Sequence, residues 1–204
     1  MAITSIKTGS SFTNLIKYND FLAGNTAYQP TAYESIATVT VGSGGSSTIT
    51  FSSIPSTYQH LQIRGIARTN RSDAAYDIVK LNLNSDTGNN YSHHFVYGDG
   101  SGTSAGATTS TNTIFNYYVG TGFASANIFG TLVIDILDYA NTNKYKTTRT
   151  LGGVDFNNGS FGFIVLGSGN WRNTNTITSI SLAPQAGNSF NQYTQFGLFG
   201  IKGA

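Results

Sequence analysis

The chain has 204 residues, a net charge of +2, only 10% charged residues and no cysteine. The lack of cysteine excludes disulfides, thiolate metal sites and cysteine nucleophiles. The eleven Lys and Arg residues are scattered and form no basic patch, so we expect no nucleic-acid partner. The length suits one large all-β domain, and its abundant Asn, Ser, Thr and Gly predict a neutral, hydrogen-bonding surface.

Residues 1–33 are predicted to form an extended anchoring arm. Their apolar side chains show no sustained period and are interrupted by Gly9, Gly24 and Pro30. An arm with this many large apolar groups should be buried against its own domain or a neighbouring subunit. The residues expected to bind that partner are Phe12, Leu15, Ile16, Tyr18, Phe21, Leu22 and Tyr28.

The first residues also bear on where the protein is made. Met1–Lys7 lacks a basic region followed by an apolar one, so we expect no signal peptide. The longest apolar runs of the chain are too short to span a bilayer. We therefore expect assembly in a cytoplasm and no membrane insertion.

Residues 34–204 predict an antiparallel, jelly-roll-like β-sandwich. The runs Glu34–Val41 and Ser46–Phe51 are rich in β-branched residues, and Gly42–Gly45 between them is typical of a hairpin turn. Short strands at such spacing, separated by turn residues, indicate a sandwich. The predicted strands are 35–41, 47–52, 60–69, 77–84, 91–97, 114–119, 129–138, 146–151, 161–167, 176–183 and 193–201.

Two of these strands carry the clearest core pattern. Apolar and polar residues alternate in Ile78–Leu83, which predicts one buried face. Leu132–Leu137 is almost continuously apolar, which predicts a central strand covered on both faces. The residues expected in the core are Leu81, Leu132, Ile134 and Ile136.

The segment Gly98–Thr113 is predicted to be a surface loop because it is too poor in apolar groups to pack. A long loop on a rigid sandwich is either a recognition element or a contact between subunits. The recognition residues expected in it are Asp99, Ser101, Thr103 and Ser104.

Motifs with possible chemistry are weak, and we expect no catalytic, cofactor or metal site. Gly102–Gly106 matches the G-x-S-x-G nucleophile elbow, but no helix is predicted after it and every histidine precedes it. His93 and His94 are adjacent, so they point to opposite faces of a strand and cannot share one metal. Glu34 is the single glutamate beside eight scattered aspartates, which gives no carboxylate pair for glycoside hydrolysis.

Four aromatic residues are candidates for a sugar-binding surface. The pair Tyr117-Tyr118, Trp171 and Tyr193 lie near predicted turns. They could stack on sugar rings, or they could be core and rim residues.

Several segments together resemble virion proteins of tailed bacteriophages, including marine and cyanobacterial ones. These segments are Phe21–Tyr28, Tyr33–Val41, Ile49–Pro55, Tyr58–Gly65 and Phe196–Gly203. The resemblance covers most of the chain, is weakest in 98–127 and includes no catalytic motif. It implies a subunit displayed on the particle, either on the head or in the tail fibres.

The sequence therefore predicts a non-catalytic virion structural protein that forms a homo-oligomer, with other capsid or tail proteins as partners. Our first interpretation is a capsid-decorating or cementing subunit anchored by residues 1–33. The alternative is a receptor-binding tail-fibre or tail-tip module that recognises a host surface glycan through the 98–113 loop and nearby aromatic residues. A polysaccharide-degrading enzyme is the third class. The expected location is the virion, assembled in the host cytoplasm.

Overall fold

A computed structural model describes residues 32–156 and 162–203, and within these ranges the chain forms twelve β-strands and no helix. The strands are β1 (Tyr33–Thr40), β2 (Ile49–Phe51), β3 (His60–Thr69), β4 (Tyr76–Leu83), β5 (Tyr91–Gly98), β6 (Thr103–Thr111), β7 (Ile114–Thr121), β8 (Gly130–Leu137), β9 (Lys146–Asp155), β10 (Gly162–Trp171), β11 (Ile180–Pro184) and β12 (Gln195–Ile201). Each of the predicted strands overlaps an observed one. The seven arm residues expected to bind a partner lie outside the described residues, and Tyr33 belongs to β1.

The strands form two antiparallel layers. The large sheet has the order β1-β12-β3-β8-β9-β10-β5-β6, and the small sheet has the order β2-β11-β4-β7. Arg68 and Thr69 of β3 join the layers by pairing in parallel with Gly120 and Thr121 of β7. The predicted all-β sandwich is thus confirmed, with one short parallel junction.

The core lies between the two sheets and contains the four residues that the sequence predicts. Leu81 in the small sheet and Leu132, Ile134 and Ile136 in the large sheet are all buried in one apolar cluster. The prediction that β8 is covered on both faces is wrong, because Leu137 on its other face is 45% exposed. β8 lies between β3 and β9 within its sheet, but a two-layer sandwich covers only one face of each sheet.

The prediction that Gly98–Thr113 is a surface loop is also wrong, because most of this segment forms the strand β6. β6 pairs with β5 from Thr103 opposite Gly98 to Thr111 opposite Tyr91. Backbone hydrogen bonds hold an edge strand of this kind even where its side chains are small and polar. What remains of the loop is a tight turn in which the Asp99 N–H donates to the Gly102 carbonyl oxygen over 3.2 Å.

A buried carboxylate fixes the loop after β11. Asp77 of β4 is fully buried and accepts hydrogen bonds from the Thr69 hydroxyl at 2.9 Å and the Ile78 N–H at 2.8 Å. It also accepts from the N–H groups of Ala186 at 3.1 Å and Gly187 at 2.8 Å. These donors satisfy the buried oxygens, so Asp77 ties residues 185–187 to the sandwich.

Candidate functional site

The structure divides the four predicted recognition residues between a turn and a strand. Asp99 and Ser101 lie in the β5–β6 turn, whereas Thr103 and Ser104 are exposed at the start of β6. Asp99 Oδ1 accepts from the Ser101 N–H at 2.9 Å, the Ser101 hydroxyl at 2.8 Å and the Gly102 N–H at 2.8 Å. These bonds, led by that from the Ser101 N–H, hold the pKa of Asp99 below its usual value. Asp99 therefore closes the turn.

The most unusual surface is the outer face of the large sheet, which points away from the small sheet. One register row across five neighbouring strands carries only apolar side chains there. We call this row the apolar stripe; it runs Ala105, Val96, Leu166, Leu151 and Val133.

The large side chains at the centre of the apolar stripe are open to solvent. Leu151 is 53% exposed and Leu166 is 50% exposed, and Ile164 in the adjacent row is 66% exposed. Scattered apolar side chains are normal on a protein surface, but contiguous ones mark interaction sites. We identify this face as the candidate functional site.

Glycines shape the surface around the stripe. Ile164 is flanked in its own row by Gly98 of β5 and Gly153 of β9, neither of which has a side chain to cover it. A depression of about 1280 Å³ extends over this region to Asp99 and Ser101. A second, of about 600 Å³, lies between Leu166 and the small residues of β6. The outer face of the large sheet therefore contains two shallow, largely apolar depressions.

A polar network borders the apolar stripe. Arg149 donates to Asp135 Oδ2 over 2.7 Å, and the Gln62 amide donates to Asp135 Oδ1 over 2.6 Å. Arg64, which follows Val133 in the stripe's own row, donates to Gln62 Oε1 over 2.7 Å. Because these groups bond to one another along the sheet, they give the stripe a fixed polar rim of the kind that surrounds protein interfaces.

A third depression, of about 440 Å³, lies elsewhere on the domain and is mainly polar. Its wall includes Asn191, Gln192 and Tyr193, and Tyr193 is 68% exposed. Arg68 also lines it, but its guanidinium is buried and donates to the carbonyl oxygens of Ala124, Ser125 and Ile128 at 2.8–2.9 Å. Arg68 thus holds the loop before β8 in place.

The other aromatic residues singled out in the sequence lie inside. Tyr117, Tyr118 and Trp171 are buried, and the Trp171 indole N–H donates to Asp86 over 2.7 Å. Burial alone would raise the pKa of Asp86, but the hydrogen bonds from Trp171, Asn90 and the Gly88 N–H outweigh it and lower that pKa. Of the four aromatics, Tyr193 alone offers an exposed ring.

The two adjacent histidines take opposite faces of β5, as the sequence predicts. His94 is exposed, whereas His93 is buried beside Phe115 and lies 3.4 Å from the Tyr117 hydroxyl. Burial lowers the pKa of His93, and the neighbouring His94 adds to the effect. Gly102–Gly106 spans the hairpin turn and the start of β6, with no helix after it.

Within residues 32–156 and 162–203, no group of three or more His, Asp or Glu side chains is placed to hold a metal ion. The same ranges contain no helix with the length and apolar content needed to cross a membrane.

Comparison with known proteins gives no relative. No family model, no curated protein and no solved structure matches the chain.

The sequence reasoning missed the apolar stripe. Its signal is present in Ile164-Val165-Leu166, where three consecutive apolar residues must place side chains on both faces of a strand. Val165 is buried, so Ile164 and Leu166 point outward. Such a run predicts a strand but not an uncovered face, because sequence does not tell which strands have a second layer over them.

Proposed function

We propose that the protein is a non-catalytic structural protein of a bacteriophage virion, a β-sandwich subunit displayed on the particle and anchored by residues 1–33. Capsid decoration is the role that we favour. The observation that carries the proposal is the apolar stripe, a contiguous apolar row on a rigid sheet face. The resemblance of the strand and turn segments to phage virion proteins supports the same class.

The character of the rest of the surface is consistent with close packing among many subunits. Only 10% of the residues are charged, against about 25% in a typical soluble domain. A surface of this kind repels like copies weakly and forms many uncharged hydrogen bonds. In a decorated capsid, the apolar stripe then contacts a neighbouring virion protein, and the polar network at one end of the stripe borders that contact.

Attachment to particles tests this role. A truncated chain beginning at Tyr33 should fold as a β-rich protein but fail to bind particles that lack the protein, because the arm is the anchor. The full chain should restore binding, and it should also raise the heat resistance of the capsids. Full occupancy by the truncated chain would place the anchor elsewhere, and no binding by either chain would contradict a decorating role.

The receptor-binding alternative has its own supporting observation. The depression beside Tyr193 combines an exposed ring with the side chains of Asn191 and Gln192, and sugars bind to rings flanked by amides. If the protein recognises a host glycan there, Tyr193→Ala should abolish adsorption of the phage while leaving capsid heat resistance unchanged. Normal adsorption of that variant would favour decoration.

A further inference from the structure

The large sheet ends in a strand whose outer edge is open. β6 pairs with β5 on one side, and no other strand within the described ranges pairs with it. Its remaining backbone N–H and C=O groups therefore have no strand partner among the described residues and can accept another strand.

This edge lacks the usual protection against pairing. Proteins shield edge strands with charged residues, prolines, bulges or short length. The nine residues of β6 include no charged residue and no proline, and seven of them are exposed. A bulge in its pairing with β5 falls between Thr108 and Thr111, which leaves 103–108 as a regular edge.

The three other outer strands differ. β7, at one edge of the small sheet, has seven of its eight residues buried and pairs with β3 at its end. β2, at the other edge of the small sheet, has only three residues. β1, at the opposite end of the large sheet, has a bulge between Ser35 and Ala37, and its Glu34 forms an ion pair with Lys202. β6 is thus the least protected of the four edges.

The apolar stripe reaches this open edge. Ala105 of β6 lies opposite Val96, which lies opposite Leu166. The depression of about 600 Å³ next to Leu166 extends to Ala105–Ala107 at the edge itself. A strand added beside β6 therefore extends the backbone ladder and also covers part of an apolar surface.

We propose that two copies of this chain associate through β6, with the two β6 strands antiparallel about a twofold axis. The large sheets of the two copies then form one continuous sheet. In this arrangement the uncharged edge of one β6 can pair with the same edge of the second copy, because neither strand carries a charge that would repel the other. The net charge of +2 for 204 residues also gives little repulsion between copies, and a twofold contact closes rather than growing into a fibre.

The geometry places the two apolar stripes on the same side of the joined sheet. A twofold axis perpendicular to a sheet keeps each outer face outward, so the two stripes meet near the axis. The regular part of β6 allows the axis at position 105 or 106, because opposite residues in an antiparallel pair share a face. Ala105 then lies directly or diagonally opposite Ala105 of the other copy. This pairing does not depend on a role in the virion.

The mass of the full chain in solution tests the pairing. Sedimentation equilibrium should show a concentration-dependent assembly whose mass falls by half when Ala105→Lys and Ala107→Lys are combined. The matched control combines Thr50→Lys and Thr147→Lys, which add the same charge at exposed strand positions on β2 and β9. The control should retain the wild-type mass, and circular dichroism should show that both variants remain folded.

Cross-linking gives a second test that does not need the lysine variant to fold. The chain has no cysteine, so Ala105→Cys introduces a single thiol near the proposed axis. A short thiol-specific bifunctional reagent with a reach of about 8 Å should join it into a dimer, because directly or diagonally opposite positions lie no more than about 7–8 Å apart, whereas Thr147→Cys should stay uncross-linked. A monomeric wild-type chain, an unchanged mass in the β6 variant, or no cross-link through Ala105→Cys would overturn the proposal.

Discussion

Leu151 of β9 and Leu166 of β10 lie directly opposite each other in the outer face of the large sheet, and about half of each side chain is exposed. Their other row neighbours are Val133 and Val96. Contact between the two leucines therefore hides only part of the apolar area from water. The remaining area is available to a partner, and its burial would stabilise a complex.

Replacing these two leucines should weaken binding to a partner while leaving the stability of the fold almost unchanged. Leu151→Thr combined with Leu166→Thr introduces β-branched residues that suit a strand and removes most of the exposed apolar area. We expect each change to alter the free energy of unfolding by no more than about 0.5 kcal/mol. Binding of an apolar fluorescent dye and attachment to particles should both fall.

Leu137→Thr is the matched control, because Leu137 is exposed on the same face but outside the apolar stripe. It should retain dye binding and attachment. Unchanged dye binding and attachment in the double variant would mean that the stripe is not a contact surface.

The core assignment predicts a large cost for one truncation. Ile134 is fully buried between the sheets, so Ile134→Ala should lower the free energy of unfolding by about 2–5 kcal/mol. Leu137→Ala in the same strand should cost less than about 0.5 kcal/mol, as is usual for exposed sites. Urea denaturation of both variants checks the difference, and equal losses would show that the facing of β8 is misassigned.

Replacing the Asp77 carboxylate by an amide of the same shape should lower the free energy of unfolding. An amide in place of the carboxylate has one acceptor oxygen, so Asp77→Asn leaves either the Ala186 or the Gly187 N–H without its acceptor and turns an NH2 group toward the remaining donors. The expected loss is about 1–3 kcal/mol in the free energy of unfolding. Asp73→Asn removes an exposed partner of Arg71 and should cost less. A larger loss for Asp73→Asn would contradict the anchoring role of Asp77.

His93 should make stability depend on pH below neutrality. Burial lowers its pKa in the folded state, so the unfolded chain, with a histidine pKa of about 6.5, binds the proton first. Stability is then complete above that value and falls as the pH decreases through it. The denaturation midpoint should therefore fall between pH 7 and pH 5, above the range where the carboxyl groups titrate. His93→Gln should flatten this slope, and an unchanged slope would assign it to other groups.

Sequence patterns predicted the strands that bury a side-chain face. In β4, Val79, Leu81 and Leu83 are buried while Lys80 and Asn82 are not, because apolar alternation records directly which face meets the core. The same pattern did not predict β6, because its side chains are small and mostly polar and show no alternation with large apolar residues. β6 depends on backbone pairing with β5, and pairing of this kind is set by the neighbouring strand rather than by its own residues.

The candidate site could not be predicted for a related reason. Val96 is far from Leu151 and Leu166 in the chain, and the three become neighbours through the strand order β5-β10-β9. A hydrophobic pattern shows that a strand has two apolar faces, but it does not show that one of them lacks a covering layer. The apolar stripe is therefore a property of the topology.

The copy number in purified particles of the phage tests the proposed function most directly. Quantitative mass spectrometry should find the chain in the virion at a number comparable with that of the major capsid protein, because a decorating subunit follows the symmetry of the head. A few copies per particle would contradict capsid decoration and favour the tail. Absence from the particle would contradict the virion role altogether.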